Sequence, residues 1–416
     1  VFVAVLAALV DYRAHVRVFQ VVWLGGFVGY SLLIWRLRGD AFRKAAIARR
    51  PSYGWLIGFV LLRLALSGAT PSDDLYRYMW EGKVQRHGFS PYVVAPNDPR
   101  VADLTPGDPN WPHINHRDYP AIYPPLAQLV FRAASSVGDS TYIAKIVFAL
   151  LDIAVVLLLW LALARCGVSP EWTLVYAACP LTLAAIAADG HLDSLMLLFV
   201  AAGIWAAAAN RWNLLGGCVG LAIASKLVAV VLLPWLVVRH WRAALIAIAV
   251  VATIYLPFVD SGLRMFDGLM RFTGTTSLFG PIHGPVELII GAAWSRGICG
   301  AALAAALVLF ALRRRRFETY ARSAIVALTL LMPIVHYWYL TWLLLVVANR
   351  VRWWHVTLCA GYVFYFEAER QRFLTGEWSM PDWAPICALV PAALVMAIEY
   401  IAILRDKPPL NPAEAH

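Results

Sequence analysis

Residues 142–164 read YIAKIVFALLDIAVVLLLWLALA. About 20 apolar residues in a helix cross the hydrocarbon layer of a bilayer, so this run predicts a membrane-spanning helix. Similar runs lie on both sides of it, at 1–10, 16–35, 52–69, 172–188, 192–209, 214–238, 243–259, 286–312, 323–347, 353–366 and 384–404. Two are interrupted, 214–238 by Lys226 and 323–347 by Pro333 and His336. The run at 1–10 opens at Val1 with no recognisable signal peptide, which reads as a span cut short by a missing start. The expected fold is all-α: a polytopic helical membrane protein of about 11–13 transmembrane or half-membrane helices. It is read as one domain over 1–416, with a large ordered outer loop at 70–123.

Composition agrees. The 416 residues are 61% hydrophobic and 14% charged, with a mean hydropathy of +0.67, whereas soluble domains carry about 25% charged residues. The 18 Trp and 17 Tyr suit interfacial belts. The net charge of +10 does not call for a nucleic acid. Its Lys and Arg gather in short loops, Arg36 to Arg50 and Arg313 to Arg316, where membrane topology accounts for them. The six cysteines (Cys166, Cys179, Cys218, Cys299, Cys359, Cys387) are scattered without a CxxC pair and read as free thiols in apolar surroundings.

Basic loops favour the cytoplasm. With Arg36, Arg38, Arg43, Lys44, Arg49 and Arg50 inside, the run at 52–69 exits and the loop from 70 to 123 lies outside. Arg165 and Arg211 then fall inside, and the Asp189–Asp193 turn falls outside. If 214–238 were one span, Arg239, Arg242 and Arg313–Arg316 would be outside. Two short halves turning near Lys226 put every one of these clusters inside. The same reasoning breaks 323–347 at His336 and places Arg350, Arg352, Arg405 and Lys407 inside. Broken helices are tolerated only where they line a protein cavity, so a polar cavity on the outer side is expected.

Directly after the 52–69 run comes Pro71-Ser72-Asp73-Asp74-Leu75-Tyr76-Arg77-Tyr78-Met79-Trp80-Glu81-Gly82. Asp or Arg at the centre of a span costs about 3 kcal/mol, so this segment belongs at the water interface or in a protein-roofed cavity. In a helix, Asp74, Tyr78 and Glu81 share one face, and Asp73, Arg77 and Trp80 the neighbouring one. Arg77 would then hold Asp73 as an orienting group and lower its basicity, leaving Asp74 as the base. Ser72 and Asp73 also suit helix capping. The loop continues through Gly88-Phe89-Ser90-Pro91-Tyr92 and Trp111-Pro112-His113-Ile114-Asn115-His116. Its prolines and aromatics suggest order, and Tyr123-Pro124-Pro125 reads as shaping its return to the membrane.

Asp189-Gly190-His191-Leu192-Asp193 lies between two apolar runs, either as a polar turn or as a set of hydroxyl ligands. Asp and His can bind Mn or Zn, but no metal-ligand spacing such as HExxH is present, and no metal or cofactor is assigned. A lone Lys226 between apolar halves is either a snorkelling residue or a phosphate partner. His336, and Arg264, Arg271 and His283 in the second outer loop, are weaker candidates. The sequence has no P-loop and no GxSxG.

The ordered set Asp73-Asp74 through Gly82 and Gly88–Tyr92, then Ile122-Tyr123-Pro124-Pro125-Leu126, Gly190-His191-Leu192-Asp193, Gly220 through Lys226, and His336-Tyr337-Trp338-Tyr339-Leu340 resembles the GT-C superfamily of integral-membrane glycosyltransferases. The nearest resemblance is to bacterial mannosyltransferases that use polyprenyl-phosphate sugars. It implies an inverting transfer of a hexose, mannose first, from a polyprenyl-phosphate donor to a glycan or glycolipid acceptor on the outer face of the cell membrane. It also implies an acidic catalytic residue in the first outer loop, here Asp73 or Asp74; the adjacent acids depart from the DxD spacing of some members. On this reading Lys226, Arg77, His336 and Arg271 are candidates for the donor phosphate. Glu81, Tyr78, Asp189, His191, Asp193, Asn115 and His116 are candidates for the sugars. The rival readings are a lipid or sugar flippase, which would also have broken helices, and a non-catalytic envelope subunit.

Overall fold

The computed structural model describes residues 12–39, 54–275 and 277–405. The expected span at 1–10 and the basic residues Arg43, Lys44, Arg49, Arg50 and Lys407 lie outside them. The described residues are predominantly helical, with no strand beyond isolated bridges from Leu278 and Phe279 to Ile334.

Five helical stretches are long and apolar enough to cross a membrane: Val16–Arg38, Thr141–Arg165, Trp241–Gly274, Ala292–Arg313 and Trp383–Arg405. A pair bent by 57°, Pro170–Ala177 and Pro180–Ala188, would make a sixth. Val16–Arg38 shows the logic of a lipid-exposed helix. Phe19, Trp23, Phe27, Tyr30 and Ile34 are buried against the protein, while Val21, Leu24, Val28 and Trp35 face outward and are equally apolar. Only a hydrocarbon surround makes that outer face favourable.

Both interrupted runs fold back on themselves. The helix Trp212–Ser225 ends where Lys226 turns to extended backbone, and the chain returns through Leu227–Leu232 and Leu233–Arg239. Trp212 at one end stacks on His240 at the other, 3.9 Å between ring centroids. Arg239 reaches the carbonyls of Ala311 and Leu312, and Trp235 Nε1 donates to the Arg314 carbonyl at 2.9 Å. Phe317–Leu331 and Leu340–Val347 form the second hairpin, closed where Arg322 donates to Val346 and Asn349 at 3.1 Å. Arg211, Arg239, Arg314 and Arg350 therefore share one end of the molecule, with the breaks at Lys226 and His336 at the other.

Two opposite charges inside the apolar layer are matched to each other. Arg63 Nε lies 2.6 Å from Asp152 Oδ2, both 1% exposed, and Tyr176 donates to the same carboxylate at 2.5 Å. Buried charges persist only with such partners.

The 70–123 segment is ordered, as its composition suggested. It begins with the helix Asp73–Arg86, which packs Leu75, Tyr78 and Met79 against Phe131, Phe148 and Leu195. Gly82 allows that approach: a Cβ there would lie 2.3 Å from the Phe131 carbonyl oxygen. Beyond the helix, Trp80, Val84, Val94, Val101 and Ile114 make a small core of their own. Of the cysteines, Cys179, Cys218, Cys299 and Cys359 are buried, Cys166 is half-buried and Cys387 exposed, all as free thiols.

Candidate active site

The N-terminus of the Asp73–Arg86 helix opens into a cavity of about 530 Å³. The Ser72 hydroxyl caps the helix, accepting from the Asp74 amide at 3.4 Å. Capping therefore falls to Ser72, and both carboxylates are left for other partners.

Those partners differ from the ones the helical faces suggested. Arg77 does not hold Asp73. Its Nε donates to Glu81 at 2.8 Å, and its guanidinium donates to the carbonyls of His116, Tyr119 and Pro120 at 3.0, 2.6 and 2.9 Å. Arg77 thus clamps the loop onto the helix. Glu81 is completed by Gln128 Nε2 at 2.6 Å, and burial pushes its carboxyl up despite the adjacent guanidinium. Asp73 is held from the far end of the chain by Arg372 Nη1 at 2.9 Å. A face argument cannot foresee a partner brought in by tertiary packing.

Five acids cluster near the cavity, and four have a closer partner than Asp74 does; Glu369 accepts from Trp378 Nε1 at 3.1 Å, with Arg13 at 3.7 Å. Asp73 has Arg372. Asp189 accepts from Tyr12 at 2.8 Å and from Tyr337, with Arg13 at 3.6 Å. Asp193 accepts from Lys226 at 2.7 Å and from Trp342 at 2.5 Å. Asp74 alone of the five has only contacts of 3.3 Å or longer: Asn115 at 3.3 Å, Tyr123 at 3.4 Å, Tyr78 at 3.5 Å and His191 Nδ1 at 3.5 Å. Burial pushes its carboxyl up, but the His191 and Asn115 contacts outweigh burial and hold it below the usual carboxylate range. The loose bonding leaves a carboxylate oxygen open to a ligand hydroxyl, and the lowered carboxyl makes Asp74 a weaker base than an ordinary Asp.

Aromatic rings form one wall. His191 lies flat on Trp338 at 3.8 Å, and Trp338 on His336 at 4.3 Å. Tyr365 fixes His336, with hydroxyl and Nδ1 2.7 Å apart. His191 is placed by Gly190, whose φ of +81° favours glycine and whose Cβ would collide with Leu75 and Lys145 at 2.8 and 2.9 Å.

Of the candidates read from the sequence, Asp73, Asp74, Arg77, Asn115, His116, Asp189, His191 and His336 line the cavity. Tyr78, Glu81, Asp193, Lys226 and Arg271 do not, although Tyr78 reaches Asp74. The Lys226 ammonium is shut between Asp193 and the rings of Tyr339 and Trp342, 4.3 and 4.9 Å from their centroids. Arg271 pairs with Asp118 at 2.7 Å on the surface. Tyr123, read as a loop-shaping residue, also lines the cavity. The residues that were missed are Arg13, Tyr337, Trp338, Tyr365, Glu369 and Arg372. One signal was available for the last two: the charged run Glu367-Ala368-Glu369-Arg370-Gln371-Arg372 follows an apolar stretch, as the Asp73–Arg86 segment does. Among the described residues, no three His, Cys, Asp or Glu side chains converge as a metal site.

An acid beside a polar cavity, framed by lipid-length helices and lined with aromatic rings, has the architecture of an integral-membrane glycosyltransferase. Residues 2–242 match the family model of the alpha-(1->6)-mannopyranosyltransferase N-terminal domain, the MptA_B family. The match spans more than half of the 416 residues, and the chain belongs to that family. It is a membrane mannosyltransferase. No curated protein matches the chain.

Proposed function

We propose that the protein transfers mannose from a polyprenyl-phosphate donor to a hydroxyl of a lipid-linked or free glycan, with inversion at the anomeric carbon and Asp74 as general base. The observation that carries this reading is the set of long contacts around Asp74, beside four acids with closer partners in Arg372, Tyr12, Lys226 and Trp378. The acceptor hydroxyl gives its proton to Asp74 as its oxygen attacks the anomeric carbon, and the lipid phosphate leaves with the bonding electrons. General-base assistance of this kind contributes about 10²–10⁴-fold. Of the three guanidiniums at the cavity, Arg77 is bonded to Glu81 and the loop carbonyls, which leaves Arg13 and Arg372 to face the phosphate. Lys226 would act on it only indirectly, through the ring of Tyr339 that separates it from the cavity. Asp73, Asp189 and Asp193 carry Arg372, Arg13 and Lys226 as counter-charges, so transfer is expected without a divalent ion.

The outer face of the cell membrane is the side we assign to the cavity. Its support is the gathering of Arg211, Arg239, Arg314 and Arg350 at the opposite end, since basic residues favour the cytoplasmic side. Purified protein given radiolabelled polyprenyl-phosphate mannose should label a glycan acceptor, with and without chelator, and should not use a nucleotide sugar. A cysteine at Asp98 should react with an impermeant reagent from outside, and one at Arg314 should not. Labelling only from GDP-mannose would overturn the donor, and outside labelling at 314 the orientation.

A further inference from the structure

His191 is 1% exposed, lines the cavity, and has no hydrogen-bond partner on either ring nitrogen among the described residues. A buried polar group left unpaired in a native fold requires an explanation. The other histidine of the same aromatic wall, His336, has its bond to Tyr365. His191 instead turns Nδ1 toward Asp74 Oδ2, at 3.5 Å, while its face is covered by Trp338.

We propose that His191 is the second member of the catalytic base, the group on which the acceptor's proton comes to rest. This rests on Asp74 being the base. In the step, the acceptor O–H bond breaks, its oxygen bonds the anomeric carbon, and the phosphate departs with the electron pair. The proton passes to Asp74 Oδ2 and then to the Nδ1 lone pair of His191. The resulting imidazolium lies against the restored Asp74 carboxylate and the π-face of Trp338, both of which favour a cation. It returns the proton to water once product leaves.

The chemical motive is the mismatch between a carboxylate and an alcohol. A carboxylate is also a weaker base than an imidazole, ordinarily by about 2.5 pKa units, so a carboxylate alone holds the proton poorly. The titratable groups around His191 are Asp74, Lys145 behind Gly190, Tyr337 at its edge and His336 beyond Trp338, with the Lys226–Asp193 pair further off. Lys145 is engaged by the Ala69 carbonyl and Lys226 by Asp193.

The test is the pH profile of kcat with the purified enzyme and a polyprenyl-phosphate mannose donor. With His191 as proton acceptor, activity falls as acid protonates the imidazole. His191→Asn should lower the plateau kcat by about 10²-fold and move the acid limb down into the carboxylate range, with KM for the donor nearly unchanged. His336→Gln should leave the limb where it is, whatever it does to the rate. A His191→Asn enzyme that keeps its kcat, or that changes KM alone with the limb unmoved, would overturn the proposal and leave His191 a ligand of the sugar. Should the limb move with His336→Gln instead, the proton acceptor has been misassigned. An Asp74→Asn enzyme with near-parental kcat would sink the parent reading separately, whatever His191 variants show.

Discussion

Arg372 and Asp73 are 299 residues apart in the chain and 2.9 Å apart in the fold. The acid pair near the start of the protein is therefore divided by a residue near its end. Arg372 engages Asp73, and Asp74 is left with its loose shell.

Asp74→Asn and Asp73→Asn should accordingly behave differently. Asn keeps size and hydrogen bonding, so both proteins should fold. Asp74→Asn should lose at least about 10²-fold in kcat, and Asp73→Asn should lose much less. Radiolabelled mannose transfer measures both; equal losses would mean that the two carboxylates act as one unit.

If Arg372 acts through Asp73, the two should be energetically coupled. Arg372→Met and Asp73→Asn should each weaken the donor KM, and the double variant should be no worse than the poorer single one. Additive losses in a double-mutant cycle would show that Arg372 has a separate task.

Lys226→Met should reduce thermal stability more than donor binding, reversing the expectation from sequence. Removing the ammonium leaves Asp193 buried and unpaired, and breaking a buried pair costs about 3–5 kcal/mol. Asp193→Asn in the same protein should recover part of the loss. A Lys226→Met protein of parental melting temperature but poor donor affinity would restore the phosphate role.

Asp74 also predicts a pH dependence of stability. Its folded carboxyl is held below the usual range, burial being outweighed by His191 and Asn115. Such a group stabilises the fold fully above its unfolded value, near about 3.9 for Asp, and the contribution fades as pH falls through the folded value. The gap in melting temperature between parent and Asp74→Asn should be largest at neutral pH and shrink in acid. A gap that widens below pH ~4 would contradict the assignment.

Gly82→Ala should be poorly tolerated although it lies on a helix, where Ala is the better former. The Phe131 carbonyl 2.3 Å from its Cβ position leaves no room without moving a backbone. Detergent-solubilised yield and melting temperature should both drop.

The helical membrane fold was legible because its signal is local: apolar runs of bilayer length need no partner to be recognised. The two hairpins were legible for a related reason, since Lys226 and His336 interrupt runs that would otherwise put Arg239 and Arg314 on the wrong side. Residues next to each other in sequence also announced themselves, including the Asp73-Asp74 pair and the Asp189–Asp193 turn. Partnerships were not legible. Helical spacing offered Arg77 to Asp73, but packing delivered Arg77 to the loop carbonyls and Arg372 to Asp73. Lys226 looked solitary because Asp193 sits 33 residues away on another helix. Glu369 and Arg372 stand in a charged run after an apolar stretch, but only the folded 353–375 segment brings them over the cavity.

The buried Arg63–Asp152 pair has a consequence for how the chain enters the membrane. Arg63 emerges from the ribosome 89 residues ahead of Asp152. Its helix, Gly54–Leu66, carries that charge, which alone costs about 2.5–3.5 kcal/mol in the insertion process. Lateral release of this helix into lipid is therefore unfavourable until Thr141–Arg165 arrives with the counter-ion. The first helices should wait at the translocon as a cohort and partition together, so that biogenesis of this protein is paced by one carboxylate.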